Sequence, residues 1–263
     1  MAEFGKRFIH MIFEFLLSPI KSVHPWGESP NKRLSWFGLT QGEYRLKVGA
    51  EYLLNYSEEF TNYNIENFPE YPFNTTFVDY YIVRLWEDIL EILPAILEPV
   101  PKEIQHLVDY DYKTQLNWIE KINNYSSEKS DATDWLDNRW LDSAYLSPSA
   151  RIWSDENNVV ISWDNREVKI EGIPVWSATH GSYRINKDDF INEVRRFDKN
   201  LFAEMNERVE IICQDWKNSE IKIDFEHLKY EQKDRATWLE SRLKSVRETD
   251  WKEVISAMKS INE

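Results

Sequence analysis

Three side chains in the second half of the chain have the types and spacing that metal-dependent phosphodiester cleavage needs. Asp155 is followed, after eleven further residues, by the tripeptide Glu167-Val168-Lys169. In such chemistry two carboxylates hold a divalent metal, and a lysine orients or activates the attacking water. Glu167 and Lys169 are two residues apart, so on a strand both would point to the same face. The pattern predicts a catalytic site made of Asp155, Glu167 and Lys169.

This pattern resembles the Asp…Glu-x-Lys site of restriction-endonuclease-like folds, which implies a metal-dependent nuclease. Two observations favour a structural role instead. Glu-x-Lys is a common charge pattern on an exposed strand face, and Asp155 lies in Ser154-Asp155-Glu156-Asn157, a composition typical of a turn. The sequence also shows no basic, aromatic surface that could hold nucleic acid. The nuclease is therefore an alternative, and a nucleic-acid partner is not expected.

A second group of residues has a composition that suits protein binding. It lies on a predicted helix and consists of Asp134, Asp137, Arg139, Trp140 and Asp142. Asp134 and Asp137 are three residues apart and so share a helical face. The carboxylates could pair with a basic partner, while tryptophan and arginine serve as anchors, as they do in many binding hot spots. The other interpretation is a solvated helix face whose tryptophans point inward.

The net charge of −14 is concentrated in the middle of the chain. Residues 1–42 carry five basic and three acidic side chains, residues 43–142 carry eight and twenty, and residues 143–263 carry nineteen and twenty-three. An acidic surface repels phosphate backbones and attracts basic partners, most strongly at low salt. The charge favours a basic protein partner, although acidic surfaces also simply keep proteins in solution.

Residues typical of cofactor and metal sites are scarce. Cys213 is the single cysteine, so it can form neither an intramolecular disulfide nor a zinc site by itself. The five histidines show no spacing that places two metal ligands on one face, and the glycines form no phosphate-binding loop. The most apolar predicted helix, near residues 77–97, contains five charged residues and cannot span a bilayer. We expect a cytoplasmic protein with no cofactor, no metal and no membrane partner.

The spacing of apolar residues predicts an α+β fold with N-terminal antiparallel strands and a helical middle. The strands are expected over residues 10–17, 43–48 and 51–56. A polar loop over 57–74 follows them. Helices are then expected over residues 77–97, 101–122 and 133–144, with Pro94 kinking or ending the first.

After Pro148 the hydrophobic period changes to two. It predicts a second antiparallel meander, packed on long C-terminal helices that begin near residue 187. Its strands are expected over residues 152–153, 159–163 and 166–170, and another strand, broken at Gly181, is expected over residues 176–185. The chain is expected to form a single domain over 1–263, or two lobes over 1–125 and 131–263.

The segment Trp36-Phe37-Gly38-Leu39-Thr40-Gln41-Gly42-Glu43-Tyr44 is the most specific stretch of the sequence. Its rings would anchor a turn into a core, and Gly38 and Gly42 occupy places where a chain needs positive φ or close backbone approach. With Pro25-Trp26-Gly27 and a later Gly181-x-Tyr183-x-Ile185, this segment resembles an uncharacterised bacterial domain family. The resemblance implies a bacterial origin and an α+β fold, and it assigns no catalytic residue.

The leading expectation is a non-enzymatic binding protein inside the cell, such as an immunity or antitoxin-like factor. Its acidic middle third would block the basic active surface of a partner, for example a toxin nuclease. The alternatives are the metal-dependent nuclease and a structural component of a defence-type assembly.

Overall fold

The fold is built around β2 (Gln41–Val48), which lies in the middle of a four-stranded antiparallel sheet. The computed structural model describes residues 12–69, 75–108, 131–142, 146–245 and 247–261. Side chains along β2 alternate between half-buried and buried, as a strand with one face on a core requires. Strand β1 (Phe13–Leu17) pairs with one edge of β2. The other edge pairs with β3 (Glu51–Leu53) and β4 (Val78–Tyr81).

The Trp36–Tyr44 segment leads into β2 and is anchored as the sequence predicts. Trp36 is fully buried, its ring lies 5.7 Å from that of Phe202, and its Nε1 donates to Gln232 at 2.7 Å. Gly42 is a place of close backbone approach, because an added Cβ would overlap the Leu16 carbonyl oxygen. The prediction was wrong for Gly38, where an added Cβ would only touch Trp26 at 3.4 Å and φ is not positive.

The predicted polar loop over 57–74 is wrong for most of its length, because a helix, α1 (Glu58–Asn67), occupies it. The Ser57 side chain accepts a hydrogen bond from the Phe60 N–H at 3.0 Å and so caps the first turn. Glu58 and Glu59 lie in that turn, where negative charge is favourable. Residues 70–74 lie outside the described part of the chain.

The helical middle begins with α2 (Ile82–Leu97), which continues through Pro94 for almost one further turn. Its apolar side packs on β2, β4 and β5. In the described residues on either side of 109–130, two shorter helices follow, α3 (Gln105–Val108) and α4 (Asp131–Asp137). Most of the helix predicted over 101–122, and residues 143–144 of the helix predicted over 133–144, lie outside the described residues.

The second sheet contains β5 (Ala150–Ser154), β6 (Asn158–Asp164) and β9 (His180–Asn186), in that spatial order. The predicted third strand of this meander, 166–170, is wrong. Asn165 is buried, accepts from the Ser149 N–H and donates to the Ala178 carbonyl, so the chain leaves the sheet after Asp164. Lys169–Ile170 instead forms a small ribbon, as strand β7, with β8 (Ile173–Pro174).

A helix of 29 residues, α5 (Lys187–Asp215), packs on strands of both sheets. It spans about 43 Å at 1.5 Å per residue. Its buried side chains recur every three or four residues and join one core that also contains buried residues of both sheets. Three further helices complete the fold: α6 (Phe225–Arg235), α7 (Trp238–Leu243) and α8 (Trp251–Ile261). The fold is α+β, with C-terminal helices packed on two antiparallel sheets, as predicted.

A second, smaller core lies on the other face of the second sheet. There α4 and α8 cover Trp153 of β5 and Val160 of β6. Among the described residues, no helix is both long enough and apolar enough to cross a membrane.

Candidate functional site

Helix α4 directs the carboxylates of the predicted binding surface outward. Asp134 and Asp137 are exposed, while Trp135 and Leu136 between them are buried in the smaller core. This division follows from helical spacing, since positions three apart lie on one face and the intervening pair on another. Partial burial, and then the charge of Asp134, raise the pKa of Asp137. The two carboxylates therefore concentrate negative charge on one helical face.

Arg139 does not belong to that surface, so its predicted role as a partner anchor is wrong. Its side chain is fully buried and donates to the Trp135 carbonyl and to the Glu98 carboxylate. Its guanidinium lies 5.3 Å from the ring of Trp135 and 5.6 Å from that of Trp251. Burial lowers the pKa of Arg139 to about 10, although Glu98 opposes the shift. Arg139 joins the end of α4 to α8 and to the residue after α2.

Trp140 and Asp142 also lie apart from the exposed pair on α4. Trp140 is half-buried, and the guanidinium of Arg151 lies 4.6 Å from its ring centre. Asp142 is exposed and accepts a hydrogen bond from the Ser147 hydroxyl. Its charge contributes to a raised pKa at Asp88 in α2, so it lies towards that helix. The structure thus brings together Asp134 and Asp137. Arg139 is excluded from this pair by its burial, and Trp140 and Asp142 lie beyond the end of α4.

Further acidic residues, which the sequence pattern did not predict as part of a site, lie beside α4. A hollow of about 180 Å³ between α4 and the start of α8 is lined by Asp134, Arg247, Glu248, Asp250 and Glu253, among others. Three of these residues are closely spaced in the sequence, as Glu248-x-Asp250-x-x-Glu253, and this spacing could have indicated an acidic surface. We call the set of Asp134, Asp137, Glu248, Asp250 and Glu253 the acidic surface.

Two contacts hold the segment that precedes α8. The Glu98 carboxylate accepts from the Thr249 backbone N–H and hydroxyl, both at 2.7 Å. The Asp250 carboxylate accepts from the N–H groups of Lys252 and Glu253, both at 3.1 Å, and so caps α8. The acidic surface is therefore supported by hydrogen bonds to Glu98, the residue after α2, and within the first turn of α8. Within the described part of the chain, no three metal-binding side chains cluster closely enough to hold a metal ion.

The predicted nuclease residues are not brought together. Asp155 lies before the first residue of β6, and Glu167 lies three residues beyond its last, Asp164. Seven strand residues span about 20 Å, too far for two ligands of one metal. Glu167 is exposed, and its carboxylate is 4.0 Å from Lys169 Nζ.

Asp155 has a structural role in the turn between β5 and β6. Its carboxylate accepts from the backbone N–H groups of Asn157 at 2.9 Å and Asn158 at 2.7 Å, and it also pairs with Arg184. Burial alone would raise the pKa of Asp155, but these hydrogen bonds lower it below its usual value. Asp155 is therefore a turn residue, as the composition of Ser154–Asn157 indicated.

Comparison with known proteins places the chain in a family without assigning an activity. No curated protein and no solved structure matches it. One family model matches residues 12–257, which is nearly the whole chain and includes the Trp36–Tyr44 segment. The chain therefore belongs to DUF5984, a family of unknown function.

Proposed function

We propose that this chain is a non-enzymatic binding protein that uses the acidic surface between α4 and α8 to contact a basic partner protein. The observation that carries the proposal is the composition of that surface. Four carboxylates and one guanidinium, that of Arg247, line the hollow, and Asp137 lies one helical turn from Asp134. Such a surface favours lysine and arginine side chains of a partner.

Charge along the chain supports the same proposal. The surplus of acidic residues falls within 43–142, which includes α4 and its supporting residue Glu98. A negative field accelerates association with a basic protein, and added salt screens it, with a Debye length of about 10 Å at 0.1 M. In the finer form of the proposal, the chain is a cytoplasmic immunity or antitoxin-like factor that covers the basic active surface of a toxin.

A defined probe tests the acidic surface directly. The double variant Asp134→Asn/Asp137→Asn should bind a synthetic lysine- and arginine-rich peptide more weakly than the wild type, by about tenfold if each charge contributes about 0.7 kcal/mol. The wild-type affinity should fall steeply between low and high salt. The matched control is Glu207→Gln/Glu210→Gln, which neutralises two exposed carboxylates with the same spacing on α5. Equal loss in both double variants would contradict the proposal.

Recovery of partners from native extract would then identify the protein bound. A basic protein captured by the wild type and lost with Asp134→Asn/Asp137→Asn would support a specific interface. The alternatives predict other results. A nuclease would cleave nucleic acid with Mg²⁺ or Mn²⁺ and lose that activity in Glu167→Gln, and a structural component would form stable homo-oligomers without a ligand.

A further inference from the structure

The outer face of the second sheet is divided into a covered half and an open half. Helices α4 and α8 cover Trp153 and Val160 at one end. At the other end, the three strands line a groove of about 460 Å³, a volume within the range of small-molecule sites. We call this the arginine groove. Its polar lining consists of Arg151, Ser162, Asp164, Arg166, His180, Ser182 and Arg184.

The strand register explains why these side chains meet. In β6 and β9, Ser162 lies opposite Ser182, and Asp164 lies opposite His180. Arg151 of β5 is paired with Ser162 on its other side. Because alternate residues of a strand point to the same face, these residues form a continuous polar surface across three strands.

The groove is cationic in a protein whose net charge is −14. It contains three guanidinium groups and one carboxylate, that of Asp164, with Asp155 beside Arg184 at its rim. No lysine lies among its lining residues. Arginine differs from lysine in presenting planar, paired N–H donors, which suit the oxygens of a phosphate or carboxylate.

Contacts within the protein hold the arginines in place. Arg166 donates from Nε and Nη2 to the two oxygens of Asp164, at 2.8 and 2.6 Å. Arg184 donates to Asp155, and the buried Arg151 stacks on Trp140. A guanidinium has five N–H donors, so it can keep such a contact and also donate to an anion. The fixed geometry lowers the entropy lost when a ligand binds.

The backbone of Gly181 lines the groove between His180 and Ser182. Its strand partner Trp163 has its side chain on the opposite face of the sheet, where the ring packs in the main core and an added Cβ at position 181 would come within 2.6 Å of it. The side chains on the groove face are therefore mainly arginines and hydroxyl groups, which suit the oxygens of a phosphate.

We propose that the arginine groove binds the phosphate of a small phosphorylated ligand. The arginines and the two serine hydroxyls contact the phosphate oxygens. This site is separate from the acidic surface and does not depend on it.

Calorimetric titration of the full chain with AMP, ADP and adenosine tests the proposal. AMP and ADP should bind, and adenosine, which lacks the phosphate, should not. Arg184→Gln should weaken the binding of ADP by about tenfold, the effect of one lost charge-assisted hydrogen bond. The matched control is Arg195→Gln. Arg195 is 50% exposed and paired with Glu240 outside the groove, whereas Arg184 is 51% exposed and paired with Asp155.

Three results would overturn the proposal. They are no binding of AMP or ADP at millimolar concentration, equal affinity for AMP and adenosine, and an equal effect of Arg184→Gln and Arg195→Gln. Binding should also shift the backbone amide resonances of Ser162 and Ser182 in an NMR spectrum, and unchanged resonances would count against this location. Normal nucleotide binding by Asp134→Asn/Asp137→Asn would show that the two surfaces succeed or fail separately.

Discussion

At the scale of single residues, contact with a neighbouring strand distinguishes two buried glycines that the sequence alone treats as equivalent. Gly38 and Gly42 lie four positions apart in the same motif, and the motif predicts a special backbone role for both. Only Gly42 lies against a neighbouring strand, with β1 directly beside it. The sequence could identify the segment and its buried Trp36, but it does not show which strand passes beside which glycine.

This difference gives a prediction for Gly42→Ala. The new methyl group would lie 2.9 Å from the Leu17 Cα and would overlap the Leu16 carbonyl, so backbone atoms of β1 must move. We expect a loss of about 2 kcal/mol or more in the free energy of unfolding, as for other overpacked sites. Urea denaturation measures it. The control Gly38→Ala should change the midpoint much less, and a similar loss in both variants would refute the argument.

At the scale of elements, the spacing of apolar residues predicts the positions of most helices and strands. The pairing of the remaining segments depends on contacts between residues that are far apart in the sequence. Ser57 followed by Glu58 and Glu59 was a readable helix start, and the helix was missed because aromatic and polar residues suggested a loop. The sequence could not show locally which segment pairs with β6 as the third strand of the second sheet. Both 166–170 and β9 have suitable residues, and the buried Asn165 decides between them through its bonds to Ser149 and Ala178.

Arg139 shows how one buried charge holds elements together. Its sequence context predicts a surface anchor, but it lies between the Glu98 carboxylate and the rings of Trp135 and Trp251. The acidic surface needs α4 and α8 to lie side by side, and Arg139 contacts residues of both. It is a supporting residue of that surface, and the sequence could not show this because burial depends on the assembled helices.

We therefore predict that Arg139→Ala destabilises the fold and loosens the acidic surface. Removing one member of a buried pair typically costs about 3–5 kcal/mol, because the other charge stays buried. The denaturation midpoint should fall accordingly, and amide hydrogens of α8 should exchange faster. The control is Arg242→Ala, an exposed arginine on α7 that should change stability by less than about 0.5 kcal/mol. Unchanged exchange in α8 would contradict the role given to Arg139.

At the scale of the whole molecule, the acidic surplus also acts on the interior. Asp88 in α2 is 8% exposed, and its Oδ2 atom has no hydrogen-bond partner within the described structure. Arg84 pairs with the other oxygen at 3.3 Å. Burial raises the pKa of Asp88 to about 7; Arg84 opposes this shift, whereas Asp142, Glu87 and Glu91 add to it. The field that would attract a basic partner therefore also makes ionisation of this carboxyl group unfavourable.

This shift gives a prediction for stability against pH. In the unfolded chain an aspartate has a pKa of about 3.9, so between about pH 4 and 7 the folded state binds more protons than the unfolded state. The stabilising contribution of Asp88 to the free energy of unfolding is therefore fully present below pH 4. It declines as the pH rises to 7 and is lost above that pH. Since one pKa unit corresponds to about 1.4 kcal/mol, the decline is at most about 4 kcal/mol.

The substitution Asp88→Asn isolates this group from the other acids, because it removes the titration and keeps a side chain of the same shape. Relative to the variant, the wild type should lose stability between pH 4.5 and 8, measured as the difference in urea midpoints at each pH. The exposed Glu51→Gln on β3 is the matched control and should show no such trend. A constant difference between wild type and Asp88→Asn across this range would mean that Asp88 stays ionised throughout. The middle third of the chain would then carry its negative charge at the surface without raising the pKa of a buried acid, and the link between surface field and interior would be wrong.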